Sequence, residues 1–229
     1  MPTTLITGAN RGLGLEFARQ YAHDGWQVLA GCRLPDQASD LRALARETGR
    51  IEILELDVGC TDQIAAVARQ LAGRPIDLLI NNAGVPGSPA RLGELDDDEW
   101  LETLRVNTLG PIRLAEALRD NVAASGHKRI VAISSGLASI AQNTSGGHYS
   151  YRTSKAALNA AVRSLAMDLR GRGVIAVVLS PGWVRTRMGG AGAPLDPEQS
   201  VAGMRRVIAG LTPEDTGAFL SHDGTSIPW

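Results

Sequence analysis

An α/β fold, with a parallel sheet covered by helices on both faces, is what this sequence predicts. Three observations carry that expectation. Short apolar, β-branched runs alternate with longer stretches of helical periodicity from one end of the chain to the other. Runs such as Leu78-Leu79-Ile80 and Val177-Val178-Leu179 are continuously apolar, as strands buried on both faces must be. A glycine cluster follows the first strand directly, where a strand turns into a helix in nucleotide-binding units. Together these describe one doubly wound, Rossmann-like domain over residues 1–229, built on a seven-stranded sheet that binds ligands at the carboxyl edge of its strands.

The strands are expected at 3–7, 27–31, 51–56, 76–81, 129–134, 174–180 and 217–221. Helices are expected near 13–24, 36–48, 62–72, 96–124, 149–171 and 197–210, and no shift of composition marks a boundary between domains. The segment from Met188 to Pro194 is richer in small residues than its surroundings. It reads equally well as a flap closing over a ligand or as a plain surface linker.

Composition narrows the function. A net charge of -1 spread along 229 residues leaves no electrostatic footprint for nucleic acid or an anionic membrane. No apolar run reaches transmembrane length and no export signal opens the chain, so a cytoplasmic protein is expected. Cys32 and Cys60 lack metal-ligand spacing and the four histidines are scattered, so no metal site is expected. The chain has only two lysines, Lys128 and Lys155. Biased base composition accounts for that scarcity, yet one of the pair falls beside a tyrosine.

The glycine cluster runs Thr7-Gly8-Ala9-Asn10-Arg11-Gly12-Leu13-Gly14. Glycines let a backbone approach a pyrophosphate closely, and amides at the helix start meet its charge. The second strand ends Ala30-Gly31-Cys32-Arg33 without the acidic residue that holds an unphosphorylated ribose. Arg11 and Arg33 instead suit a phosphate dianion, so NADP(H) is expected over NAD(H). Asp36 reads as the N-cap of the next helix.

Tyr151 and Lys155 lie four apart in an Ala/Leu-rich helical pattern and so share a helix face. A free phenol titrates near ~10, too high for acid–base work at neutral pH, and a fixed neighbouring cation would lower that value. The pair is a candidate proton donor and acceptor. Alone, it reads more readily as an ordinary packing pair on a helix surface.

With these pieces assembled, the sequence resembles the short-chain dehydrogenase/reductase family over nearly its whole length. The resemblance is carried by Thr7 to Gly14, Asp57-Val58, Asn81-Asn82-Ala83-Gly84, Asn107, the serines after strand five, Tyr151 with Lys155, and Pro181-Gly182 followed by Val184 and Thr186. The stretch around Tyr151 and the ending Asp223 to Trp229 are similar to the short carbonyl reductases of the sniffer and C-factor group. One departure stands out: Ala138 occupies the position thirteen residues before Tyr151 where many members carry the catalytic serine. Ser135 corresponds by motif, with Ser139 in reserve.

The resemblance implies hydride transfer between a nicotinamide and the carbonyl carbon of a small neutral ketone or aldehyde. Tyr151 would protonate the developing alkoxide, Ser135 would hydrogen-bond the same oxygen, and Lys155 would keep the tyrosine pKa low and grip the ribose. Asn107 would hold a water linking Lys155 to solvent. Gly8, Asn10, Arg11, Gly12, Leu13, Gly14, Arg33, Asp57, Val58, Asn81, Ala83, Gly84, Tyr151, Lys155, Pro181, Gly182, Val184 and Thr186 would bind the cofactor. Asp57 reads alternatively as a turn cap, and Asn81 as a partner for backbone groups at the strand end. Leu137, Gln142, His148, Trp183 and Met188 are the candidate substrate lining, mainly apolar. The rival reading is an NADP(H)-binding signalling protein of the C-factor type with incidental catalysis. A homodimer or homotetramer is implied, formed through the helices around 96–124 and 149–171.

Overall fold

The computed structural model describes residues 1–229. Seven strands form one parallel sheet: β1 (Thr3–Thr7), β2 (Gln27–Cys32), β3 (Ile51–Glu55), β4 (Leu78–Asn81), β5 (Arg129–Ile133), β6 (Ile175–Ser180) and β7 (Phe219–Ser221). Their order is β3-β2-β1-β4-β5-β6-β7. The order reverses between β1 and β4, which opens a crevice at the carboxyl ends of these two strands.

The strands alternate their burial because successive side chains point to opposite faces. Leu5, Leu79, Ile130, Ala132, Ala176 and Val178 pack on one side, with α3 (Thr61–Gln70), α5 (Gly110–Ala123) and α6 (Tyr149–Leu169). Ile6, Leu78, Ile80, Val131, Val177 and Leu179 pack on the other, with α1 (Gly12–His23), α2 (Ser39–Thr48) and α7 (Pro197–Gly210). Both faces are thus covered, which is why the strand sequences read as apolar runs rather than as alternating patterns. No helix is long and apolar enough to cross a membrane.

Two local expectations need correction. Asp36 does not cap a helix: it sits inside a short 3-10 turn, Pro35–Gln37, and α2 starts only after Ala38, with no side-chain cap. Proline fixes the φ of the first turn position and favours that tight turn over an immediate α-helix. The stretch expected as one helix over 96–124 is α4 (Asp97–Leu104), a π-helical turn (Arg105–Leu109) and α5. Asp96 caps α4 by accepting from Glu99 N at 3.0 Å.

Candidate active site

The glycine turn between β1 and α1 is closed by contacts that leave no room for side chains. Gly8 and Gly12 have φ of +65° and +54°. A Cβ on Gly14 would lie 2.2 Å from Gly8 O. The turn is pinned to the end of β4: Asn82 Nδ2 donates to Thr7 O at 2.9 Å, and Thr7 Oγ1 accepts from Ala83 N at 2.9 Å. Thr7 and Asn82 are structural partners that spacing alone gave no reason to single out as site residues.

From β4 the same segment reaches the helix that carries Tyr151. Asn107 Oδ1 accepts from Val85 N at 2.8 Å, while its Nδ2 donates to Val85 O at 2.9 Å and to Ser154 Oγ at 3.0 Å. The side chain is fully buried in the π-helical turn, an irregularity often found at functional sites. Its side-chain amide is taken up by protein groups. It clamps the β4 loop to α6.

Lys155 is 4% exposed and donates from Nζ to Ile133 O at 2.8 Å. Desolvation pulls its pKa down to about 8. Tyr151 shares the helix face, with Lys155 Nζ 6.0 Å from its ring centroid. The phenol was expected to be acidified by this cation, and here the direction is reversed. Burial raises the Tyr151 pKa, and the nearby Ser135 hydroxyl opposes that rise only in part.

Ser135, extended at the head of a 3-10 turn (Gly136–Ala138), accepts from Leu137 N at 3.1 Å. Ser139 is 1% exposed and is occupied in accepting from Gln142 N at 3.2 Å. Of the two serines, Ser135 is the one beside the Tyr151 hydroxyl.

The remaining motif residues surround the crevice. Asn81 is buried at the end of β4, and its Oδ1 has no hydrogen-bond donor. Gly84 is held so tightly that a Cβ there would meet Asn107 Oδ1 at 3.0 Å and Lys155 Nζ at 3.5 Å. Asp57 Oδ1 accepts from Gly59 N at 2.8 Å, so one carboxylate oxygen already closes an Asx turn. Val58 is a core residue, and its carbonyl oxygen lies 2.6 Å from where a Cβ on Gly110 would stand. Its side chain contributes packing, which leaves binding to its backbone.

After β6, Pro181 O accepts from Ser200 Oγ at 2.6 Å, and Gly182 takes φ +78° with no space for a side chain beside Leu195. Val184 bridges to Leu195, and Thr186 packs over the glycine turn, 3.7 Å from where a Gly12 Cβ would be. The following segment is tied down. Trp183 Nε1 donates to Gly189 O at 2.8 Å, and Arg185 Nη1 donates to Ala193 O at 2.7 Å. Leu137, Trp183 and Met188, the apolar members of the expected substrate lining, are exposed.

This packing brings Arg187 to the glycine turn, a residue that sequence reasoning missed. Burial, then the neighbouring charges of Arg187 and Arg33, pull the Arg11 guanidinium below its ordinary value. None of the three has a carboxylate partner in an ion pair. Three like charges gathered at the turn, with Glu102 near Arg33 but no ion pair among them, suit an anion. With the side-chain-free cradle and the unmet Asn81 acceptor, they fit a phosphorylated dinucleotide. Arg187 directly follows Thr186, but only the packing of that segment on Gly12 shows where it goes.

Comparison with known proteins settles the family. Residues 2–194 match the short chain dehydrogenase family model. The chain belongs to the short-chain dehydrogenases. This short-chain dehydrogenase is 46% identical over 164 residues to C-signal of Myxococcus xanthus, covering 72% of its own length and 99% of that protein. Its fold is similar to carbonyl reductase Sniffer of D. melanogaster, with TM-score 0.95, 37% identity and 100% of both chains covered. It is also similar to an NADPH-bound carbonyl reductase from chicken fatty liver, with TM-score 0.94, 33% identity and 100% and 99% of the two chains covered.

Proposed function

We propose that this short-chain dehydrogenase is an NADPH-dependent reductase of small neutral ketones or aldehydes. The observation that carries the reading is the pairing of a half-buried Tyr151 with Ser135, beside Lys155, whose ammonium lies close to Gly84 after β4. The NADPH-bound relative and the unpaired Arg11, Arg33 and Arg187 support the phosphorylated cofactor. When bound, the nicotinamide supplies the hydride.

The chain's own residues do the rest. Ser135 hydrogen-bonds the carbonyl oxygen and fixes it against the phenol, stabilising negative charge as it develops there. Tyr151 gives that oxygen its proton. Lys155, a desolvated ammonium without a carboxylate partner, steadies the phenolate left behind and holds the ribose hydroxyls. Asn107 positions α6 and the β4 loop relative to one another. The exposed apolar side chains of Leu137, Trp183 and Met188 favour an uncharged substrate. The same reading includes self-association through α4 and α6, whose surfaces carry the exposed Leu101 and Met167.

A second reading rests on the 46% identity to C-signal: a signalling protein that binds the dinucleotide, with catalysis incidental. Oxidation of NADPH with a panel of ketones and aldehydes separates the two. The reductase reading expects turnover of at least one neutral carbonyl compound and its loss in Tyr151→Phe with NADPH affinity kept. NADPH binding with no tyrosine-dependent turnover across the panel overturns it in favour of the second.

A further inference from the structure

Further along α6, round the helix from Tyr151, a cavity of about 550 Å³ lies between that helix, β7 and the segment ending in Trp229. Ala156, Asn159, Ala160 and Arg163 form its helical wall, spaced as one face of a helix. Its volume is in the range of small-molecule sites.

Two features of its lining point to a ligand. Asn159 is 2% exposed and accepts at Oδ1 from Ser134 Oγ at 2.7 Å, while its Nδ2 has no acceptor and lies just beneath the cavity wall, without open surface of its own. A buried amide N–H left unmet is costly, and such donors are normally paired. Arg163 is the one charged residue of the lining, held by Gly217 O at 3.1 Å. No acidic side chain lines the cavity to neutralise it. The rest is mainly apolar, including Ile140, Phe219 and Trp229, whose rings sit 5.5 Å apart for the latter two. Donors and a positive charge set in an apolar wall describe a molecule with an apolar body and an anionic acceptor at one end.

We propose that this cavity is an effector site for a small apolar carboxylate, such as an aryl or medium-chain acid. The carboxylate meets Arg163, and the hydrocarbon body lies against Phe219 and Trp229 above the buried Asn159 amide. The site reaches the reaction centre by two routes. Asn159 holds Ser134, the neighbour of Ser135. Ala138 and Ile140, also in the wall, belong to the turn that Ser135 opens and to the loop after it. An occupant lodged against Ala138 and Ile140 therefore fixes the serine turn, and only this effect on turnover rests on the reductase reading.

Calorimetric titration of the full chain with 2-naphthoate, and with 2-naphthalenemethanol as the uncharged match, tests binding without cofactor or substrate. One naphthoate per chain is expected, at least tenfold tighter than the alcohol. Arg163→Met should remove that tenfold preference. Ala160→Phe, which fills the cavity from an exposed helix position, should weaken both ligands at least tenfold with the melting temperature retained. Saturating naphthoate should change kcat or KM for a carbonyl substrate at least twofold in the wild type and not in Ala160→Phe. Equal affinity in wild type and Ala160→Phe, or no binding at millimolar naphthoate, overturns the site. Loss of self-association in Ala160→Phe also overturns it, by showing that a second copy covers this face. Binding with unchanged turnover overturns the effector role.

Discussion

Asn107 Nδ2 donates to Ser154 Oγ at 3.0 Å, and through that bond a residue of the π-helical turn fixes the helix that carries Tyr151 and Lys155. The same amide closes both hydrogen bonds with the backbone of Val85. Asn107→Ala leaves the Val85 amide and carbonyl without these partners in a buried setting. The expected cost is about 2–4 kcal/mol of stability from several lost buried hydrogen bonds, with turnover falling at least tenfold. Urea unfolding and steady-state rates on one preparation check both. Wild-type stability in the variant would remove the clamp from the account.

Lys155 carries a stability signature of its own. Its pKa is lowered from 10.5 to about 8, so the folded chain binds this proton less tightly than the unfolded chain does. Protonation then costs the fold, fully below about pH 8, and the cost disappears as pH rises toward 10.5. Lys155→Met removes the penalty along with the hydrogen bond to Ile133 O. At neutral pH it should be the more stable protein by on the order of 2 kcal/mol, with the gap closing above pH 8. Denaturant midpoints across that range give the answer; a gap that widens with pH contradicts the assignment.

The three arginines at the glycine turn separate two cofactors. A charge-assisted contact to phosphate is worth about 1.5–3 kcal/mol. Arg187→Ala should therefore weaken NADPH by about tenfold to a hundredfold and leave NADH within about twofold. Fluorescence titration with each dinucleotide measures this directly. Equal losses for the two would place Arg187 away from the phosphate.

Much of this was legible in the sequence, for identifiable reasons. Continuous apolar runs announced a sheet buried on both faces, and the glycine turn announced where β1 meets α1. The place of Ser135 at the end of strand five was legible from the motif rather than from the distance to Tyr151. The errors share a cause: each depends on a contact between segments remote in sequence. Lys155 beside Tyr151 reads as an acidifying cation, but Ile133 O takes the ammonium and burial dominates the phenol. Asn107 reads as a water holder, and its clamp on Val85 and Ser154 shows only once the β4 loop and α6 are packed together. Arg187 carries no motif, and only the packing of Thr186 on Gly12 brings it to the phosphate cradle.

Self-association is open to a simple test. Leu101 and Met167 are 64% and 41% exposed on α4 and α6, and Leu109 is 50% exposed in the turn between α4 and α5. Apolar groups on a helical surface that pairs with a second copy are the ones a charge disrupts. Leu101→Glu should shift the protein toward monomer in sedimentation velocity while its circular dichroism is retained. An unchanged sedimentation profile would move the interface elsewhere.

The central claim is that Tyr151, held by Ser135, delivers the proton to the carbonyl oxygen. Single-turnover oxidation of bound NADPH by an aldehyde substrate tests it most directly in Tyr151→Phe, Ser135→Ala and Ser139→Ala. The expected result is a loss of about 10²–10⁴-fold in the first two, with NADPH affinity unchanged and Ser139→Ala near wild type. A wild-type rate in Tyr151→Phe, or a loss in Ser139→Ala that Ser135→Ala does not share, would contradict it.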